Sequence, residues 1–301
     1  MGALIGMNFP AAAKVEQLPQ VLQTVVENGF DALELNLGTF PLIVGGQIQP
    51  DYLAYFQEHF SRFPLVYTGH MMYDLNFRTR HNRERQLEIL MASIDVCARL
   101  GMRTLTVHYE ERSPREEEEA LFLESQQLAA LHAQQQGVTV CLENIEVERY
   151  EHALAMVKAV DHPSYRMNLD LGHLYLSTRY FGGDFLTGVR ECAPYLGHLH
   201  VNDNMGRFEP MRLEDFFVYR NSSPTLRIAL GQGDLHLPPF WGKVPLAEAF
   251  DIIAASGYQG VFLCEYDNGR YVPFHRQIQQ RVRKEVEAAM ARCGRAKALE
   301  V

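Results

Sequence analysis

The sequence has no apolar run approaching the ~20 residues needed to cross a bilayer, and no Pro-, Ser- or Gly-rich stretch that would divide its 301 residues. The first absence argues against a helical membrane protein, and the second favours a single domain over 1–301. Cysteine is scarce, with five residues, an odd number, and no CxxC pair. That excludes a disulfide framework and points to a reducing compartment, so a cytoplasmic location is expected. Positive charge is also in deficit. Lys and Arg number 28 against 37 Asp and Glu, a net charge of −9, which offers no general attraction to nucleic acid or an anionic membrane. The first residues, MGALIGMNF, lack the basic segment of a secretory leader, and Gly6 stands where a myristoylation site wants Ser or Thr.

What is present suffices for a large core, with 47% hydrophobic and 22% charged residues. Short apolar runs bounded by turn residues recur at 3–9, 32–37, 65–70, 104–109, 138–144, 166–171, 196–202 and 260–266. Segments of helical length and amphipathic pattern separate them, near 14–28, 51–62, 82–100, 114–136, 150–160, 184–193, 245–255 and 273–292. Eight strands alternating with eight helices predict a parallel sheet closed into a single (β/α)8 TIM barrel. A doubly wound open sheet is the competing arrangement, but it gives no reason for the polar residues found at the strand ends. The longest interruption, the loop insertion at 203–245 after strand seven, mixes Phe208, Phe216, Phe217 and Tyr219 with four arginines. It reads as a folded lid over the site or as a surface excursion used in a homo-oligomer contact.

Strands of a buried parallel sheet should be nearly continuous in apolar residues. Here strand three ends in His70, strand four in His108, strand five in Glu143, strand six in Asp170 with His173 just beyond, strand seven in His200, and strand eight in Glu265. Such groups are costly to bury unless they pair or hold a metal. Glu143, Asp170, His200 and Glu265 converging on one point suit a divalent cation, and Mn²⁺, Mg²⁺, Co²⁺ and Zn²⁺ all fit a mixed carboxylate and imidazole set. By alternation Cys141 lies one layer beneath Glu143, Cys264 faces the helices, and His198 supports His200 from below. Glu34 and Asn36 share the inward face of strand two, where Glu34 either touches substrate or pairs with a group such as Arg166.

The motifs GHMMYDLN (69–76), ARLGMRTLTVH (98–108), LEN (142–144), NLDLGH (168–173), HLHVNDN (198–204), GDLHLPP (233–239) and CEYD (264–267) occur in that order. With them the chain resembles the xylose-isomerase-like TIM barrel superfamily, which includes sugar phosphate isomerases and epimerases and the endonuclease IV family. The isomerase branch implies one catalytic ion on Glu143, Asp170, His200 and Glu265. Glu143 and Glu265 would then serve as the acid/base pair around a metal-stabilised enediolate of a small keto-sugar, polyol or sugar phosphate. His173 and Arg207 would hold substrate oxygens, with Glu34, Asn36 and Tyr73 as further substrate contacts. The endonuclease branch implies up to three zinc ions cleaving abasic DNA, on His70, His108 and Glu143, on the four ligands already named, and on His173, Asp234 and His236, with Tyr73 near the abasic site. A third reading is a barrel that binds metal and ligand without turnover. The loop after strand two, LGTFPLIVGGQIQP, carries no Arg or Lys for phosphates, so a small carbohydrate-like substrate is expected ahead of nucleic acid.

Overall fold

A computed structural model describes residues 3–109 and 111–299, with residues 295–299 as backbone alone; Gly2 lies outside them. The apolar runs fold as strands β1 (Leu4–Asn8), β2 (Ala32–Asn36), β3 (Val66–His70), β4 (Thr104–Tyr109), β5 (Thr139–Asn144), β6 (Tyr165–Asp170), β7 (Leu196–Val201) and β8 (Val261–Cys264). Each pairs in parallel with its neighbour in sequence, and β8 returns to β1, closing a (β/α)8 barrel. Helices pack against the outside, where residues such as Leu22, Phe56, Ile94, Ala129, Leu154, Leu174, Phe250 and Val282 form the main apolar core. No helix among the described residues is long and apolar enough to cross a membrane.

The barrel interior is divided by chemistry along its axis. Ala32, Val261, Leu263 and Leu4 plug its N-terminal end. Gly6 is required there, because a Cβ would stand 2.8 Å from the Leu263 and Val261 side chains. Above the plug lie the buried polar residues Glu34, Thr68, Thr106, Asn168 and His198. One rung further up, β3 to β7 end in His70, His108, Glu143, Asp170 and His200. The ring is set by strand register: His108 sits opposite Glu143, and Asp170 opposite His200. Cys264 packs in the helical core while Cys141 lies inside the barrel against the Gly197 backbone. Burial pushes both thiols well up, which makes them inert packing groups.

The sixth unit differs from the sequence expectation. Besides the helix Phe185–Cys192, a first helix, Leu171–Phe181, begins directly at the end of β6. No loop is needed because Asp170 itself caps that helix, its Oδ1 accepting from the His173 backbone N–H at 2.6 Å.

The segment between β7 and the helix Leu246–Ala255 carries three short helices, Met211–Glu214, Phe216–Asn221 and Pro224–Leu230. Its two roots are fastened by buried Asp203, which pairs with Leu237 through its backbone and accepts from the N–H groups of Asn204 (2.8 Å), Gly242 (2.8 Å) and Val244 (2.9 Å) through its side chain. Asp203→Asn puts an amide donor among those N–H groups. It is expected to lower stability by about 1–2 kcal/mol and to expose residues 211–230 to protease, both measurable by urea unfolding and limited digestion.

Candidate metal centre

Polar side chains at the mouth of the barrel gather into four groups, each able to surround one cation; one of them, Glu34, His70, His200 and Glu265, reaches the rung below. Glu143, Asp170, His200 and Glu265 offer ligand atoms that all lie within 4.8 Å of one another, as do His70, His108 and Glu143, and His173, Asp234 and His236. In the first group His200 Nδ1 stands 3.0 Å from Glu143 Oε1 and 2.9 Å from Glu265 Oε2. In the second, His70 Nε2 and His108 Nε2 are 2.7 Å apart, with Glu143 Oε2 at 3.4 Å and 3.5 Å respectively. In the third, Asp234 Oδ2 lies 3.3 Å from His173 Nε2 and 2.9 Å from His236 Nε2.

Hydrogen bonding fixes how these rings are presented. His173 Nδ1 faces the Asn144 carbonyl at 3.0 Å and His236 Nδ1 faces the Glu265 carbonyl at 3.1 Å. A carbonyl oxygen only accepts, so both Nδ1 atoms carry hydrogen and both Nε2 atoms turn toward Asp234. His236 also holds a left-handed backbone conformation, φ 41°, an unfavourable one for a residue with a side chain and one that recurs at functional sites. Asp170 is braced on two sides: Asn202 Nδ2 donates to its Oδ2 at 2.6 Å, and Asn144 bonds both its backbone N–H and C=O at 3.0 Å.

The electrostatics are compatible with a cation. Glu34 Oε1, Glu143 Oε2, Asp234 Oδ1 and Glu265 Oε2 are buried and accept no hydrogen bond of good geometry, although imidazole nitrogens stand within ion-pair distance of the three glutamate oxygens, and an ion or proton would complete such acceptors. With protons alone, burial would raise the Glu143 carboxyl, but the His200 and His70 rings hold it well below the ordinary range. Burial opposes charge on His70 and His236 too, yet Glu143 and Glu34 push the first up to about 10 and Asp234 pushes the second up to about 10. Asp170, whose oxygens accept from an amide and a backbone N–H, is pushed by burial up to about 6 against the opposing pull of the nearby His173 ring. Oxygen and imidazole donors in this ratio fit a divalent cation in the group around Glu143, Asp170, His200 and Glu265.

Other residues singled out in the sequence have hydrogen-bond partners of their own. Asn36 Oδ1 accepts from the Gly38 N–H, and Tyr73 Oη donates to the Leu37 carbonyl, so both hold the β2 loop. Arg207 is exposed on the lid and bonds the Leu230 carbonyl at 3.3 Å. The lid arginine beside the site is instead Arg212, which donates to buried Glu146 at 3.1 Å and lies over Phe216 and Tyr219. It lines a cleft of about 840 Å³ with His108, Arg78, Phe216, Tyr219, Arg220 and Arg227. Glu34 is 1% exposed, beneath the ligand ring and away from that cleft. Asn144, Asn202 and Arg212 escaped the sequence reading, although the first two stand inside the LEN and HLHVNDN motifs.

A family model described as xylose isomerase-like TIM barrel matches residues 22–292. A comparison with curated proteins finds no match. Among solved structures, a D-tagatose 3-epimerase-like protein is 19% identical with a TM-score of 0.72, over 95% of this chain and 98% of its own. An L-ribulose 3-epimerase is 15% identical with a TM-score of 0.70, over 99% and 98%. A xylose isomerase-like TIM barrel protein from Mycobacterium smegmatis, solved in complex with magnesium, is 18% identical with a TM-score of 0.71, over 96% and 98%. At these identities the likeness is one of fold.

Proposed function

The chain belongs to the xylose isomerase-like TIM barrel family, and from that premise we propose that it is a divalent-metal-dependent isomerase or epimerase of a small keto-sugar, polyol or sugar phosphate. The observation that carries the reading is the pair of buried carboxylates, Glu143 and Glu265, which flank the single His200 Nδ1 at 3.0 Å and 2.9 Å. The similar structures described as a D-tagatose 3-epimerase-like protein, an L-ribulose 3-epimerase and a D-allulose 3-epimerase support it.

Glu143, Asp170, His200 and Glu265 would hold the cation, which when bound supplies polarisation of a substrate carbonyl and so acidifies the neighbouring C–H. One glutamate takes that proton, and the C–H electron pair moves into the carbonyl. The other glutamate then returns a proton to the opposite face, giving an epimer, or the first returns it to the former carbonyl carbon while the neighbouring hydroxyl proton passes to the former carbonyl oxygen, giving an isomer. No oxidant or reductant enters. His173 holds a substrate oxygen from the mouth of the barrel. Phe216, Tyr219 and Arg212 wall the cleft and exclude water. The cleft has room for a monosaccharide and a polar extension, in keeping with the ligand of a D-allulose 3-epimerase solved with D-allulose.

A second reading, a trinuclear zinc phosphodiesterase on abasic DNA, draws on the two further groups His70–His108–Glu143 and His173–Asp234–His236. Elemental analysis together with proton NMR in D₂O separates the two. About one ion per chain, with deuterium entering beside the carbonyl of a ketose from a panel, supports the first. Three zinc ions with scission of an abasic-site oligonucleotide would replace it.

The ligand set also predicts proton release. In the metal-free protein burial disfavours charge on His200, but Glu265, Glu34 and Glu143 hold it well above the ordinary imidazole value, so it carries a proton at neutral pH. An incoming cation must displace that proton, so affinity for Zn²⁺ should rise with pH through and above neutrality, with calorimetry in two buffers registering proton uptake by the buffer. A flat profile would count against histidine ligation.

A further inference from the structure

Glu34 is the most deeply placed charged group of the barrel interior that the reaction does not use. It comes from β2, level with Thr68 and one rung below His70. Its Oε2 accepts from Thr68 Oγ1 at 3.1 Å and stands 3.0 Å from His198 Nε2. His200 Nε2 stands 3.3 Å from the same Oε2 and 3.1 Å from Oε1, and His70 Nδ1 lies 3.2 Å from Oε1. Arg166, on β6, turns away to the Pro194 carbonyl. A buried carboxylate is thus surrounded by three imidazoles and a hydroxyl, with no arginine or lysine among its recorded partners.

The two ring nitrogens of each histidine face different groups. His200 turns Nε2 to Glu34 and Nδ1 to Glu143 and Glu265; His70 turns Nδ1 to Glu34, with Glu265 Oε1 farther off at 3.6 Å, and Nε2 to His108 and Glu143. A neutral imidazole has one N–H and one lone pair. A carboxylate that accepts the N–H therefore decides which nitrogen is left to bind an ion. The same acceptor demands opposite tautomers of its two neighbours, Nε2–H on His200 and Nδ1–H on His70, because the rings approach it from different strands.

We propose that Glu34 is a positioning residue that accepts one N–H each from His200 and His70 and thereby aims both lone pairs up into the cation-binding ring. His198, donating to the same carboxylate from one layer below, keeps Glu34 from rotating out of reach. The inference rests on the metal-dependent reading above, since it assigns Glu34 a task only if the ring holds an ion. Glu34, His70, His200 and Glu265 also lie close enough to surround an ion themselves. That arrangement would consume the nitrogens facing down and leave the upper ring without them, so the two roles exclude each other.

Titration of metal-free protein with Zn²⁺ and nitrogen-detected NMR of labelled histidines in the zinc-loaded protein test the assignment. Wild type should show His200 protonated at Nε2 and His70 at Nδ1. Glu34→Gln, which keeps size but loses the charge and one acceptor, should weaken zinc binding by about 10- to 100-fold and mix both tautomers. Glu34→Asp should recover part of the affinity. A role in packing alone would lower the melting temperature and leave tautomers and affinity as they are, which overturns the proposal. Loss of one whole ion from the count would make Glu34 a ligand and also overturn it. If Glu34→Gln does not fold, the wild-type spectrum decides, because Nδ1–H on His200 or Nε2–H on His70 contradicts the assignment. None of these readouts needs a substrate, so a chain that binds zinc as described and turns over no sugar loses its proposed activity and keeps this one.

Discussion

Glu265→Gln is expected to leave the barrel folded and to cut kcat by about a thousandfold or more. The side chain sits at the end of β8 and is 11% exposed, so an amide of equal size enters without a cavity. What changes is charge and basicity. A positioned general base is worth about 10²- to 10⁴-fold, and the lost carboxylate charge adds weaker cation binding, so rates belong at saturating metal. The stereochemistry of exchange sharpens the test. If Glu143 and Glu265 work on opposite faces, Glu265→Gln should still exchange the C–H of the one epimer whose proton faces Glu143, while Glu143→Gln exchanges only the other. Loss of exchange from both epimers in a single variant would mean that one glutamate carries both transfers and that the reaction is an isomerisation. A kcat within about threefold of wild type would remove Glu265 from proton transfer.

The strand ends were legible because burying a carboxylate or imidazole in a parallel barrel is costly, so His70, His108, Glu143, Asp170 and His200 stand out from the apolar runs that carry them. Strand order and side-chain alternation then place them on one rim. The orientation of the rings was not legible, since it depends on contacts between distant strands. Glu34 meets His198 and His200 across 164 and 166 residues, and strand alternation gives its face but not its partner. Arg207 and Arg212 illustrate the same limit within one loop. Which of them reaches the cleft is decided by the helix Met211–Glu214 and by Glu146, which lies beyond the end of β5, and neither is visible in the local pattern. The helix Leu171–Phe181 was hidden because Asp-x-x-His fits a helix cap and a ligand pair equally well in sequence; in the structure Asp170 Oδ1 caps the helix while Oδ2 accepts from Asn202.

Gly172→Ala is expected to destabilise the protein by about 2–4 kcal/mol and to loosen cation binding, although neither effect follows from backbone strain. Gly172 lies in the first turn of the helix capped by Asp170 and is not among the glycines with positive φ. By intrinsic preference alone, alanine there would favour the helix by about 1 kcal/mol. The obstacle is space: an added Cβ would stand 1.7 Å from Asn202 Oδ1 and 2.7 Å from Asn202 Cγ. Asn202 is wholly buried and donates to Asp170 Oδ2 at 2.6 Å. Forcing it aside adds an overpacking cost of about 1–3 kcal/mol to the loss of a charge-assisted hydrogen bond worth about 1.5–3 kcal/mol, which outweighs the helical gain. Asp170 then keeps its cap to His173 but loses the donor that holds its second oxygen. Combining Gly172→Ala with Asn202→Ala removes the clash without restoring that donor. The double variant should thus recover stability relative to Gly172→Ala while zinc affinity stays low, a coupling that urea unfolding and metal titration read separately. If Gly172→Ala alone unfolds within about 0.5 kcal/mol of wild type, Asn202 has found another place, and its amide is not what fixes Asp170.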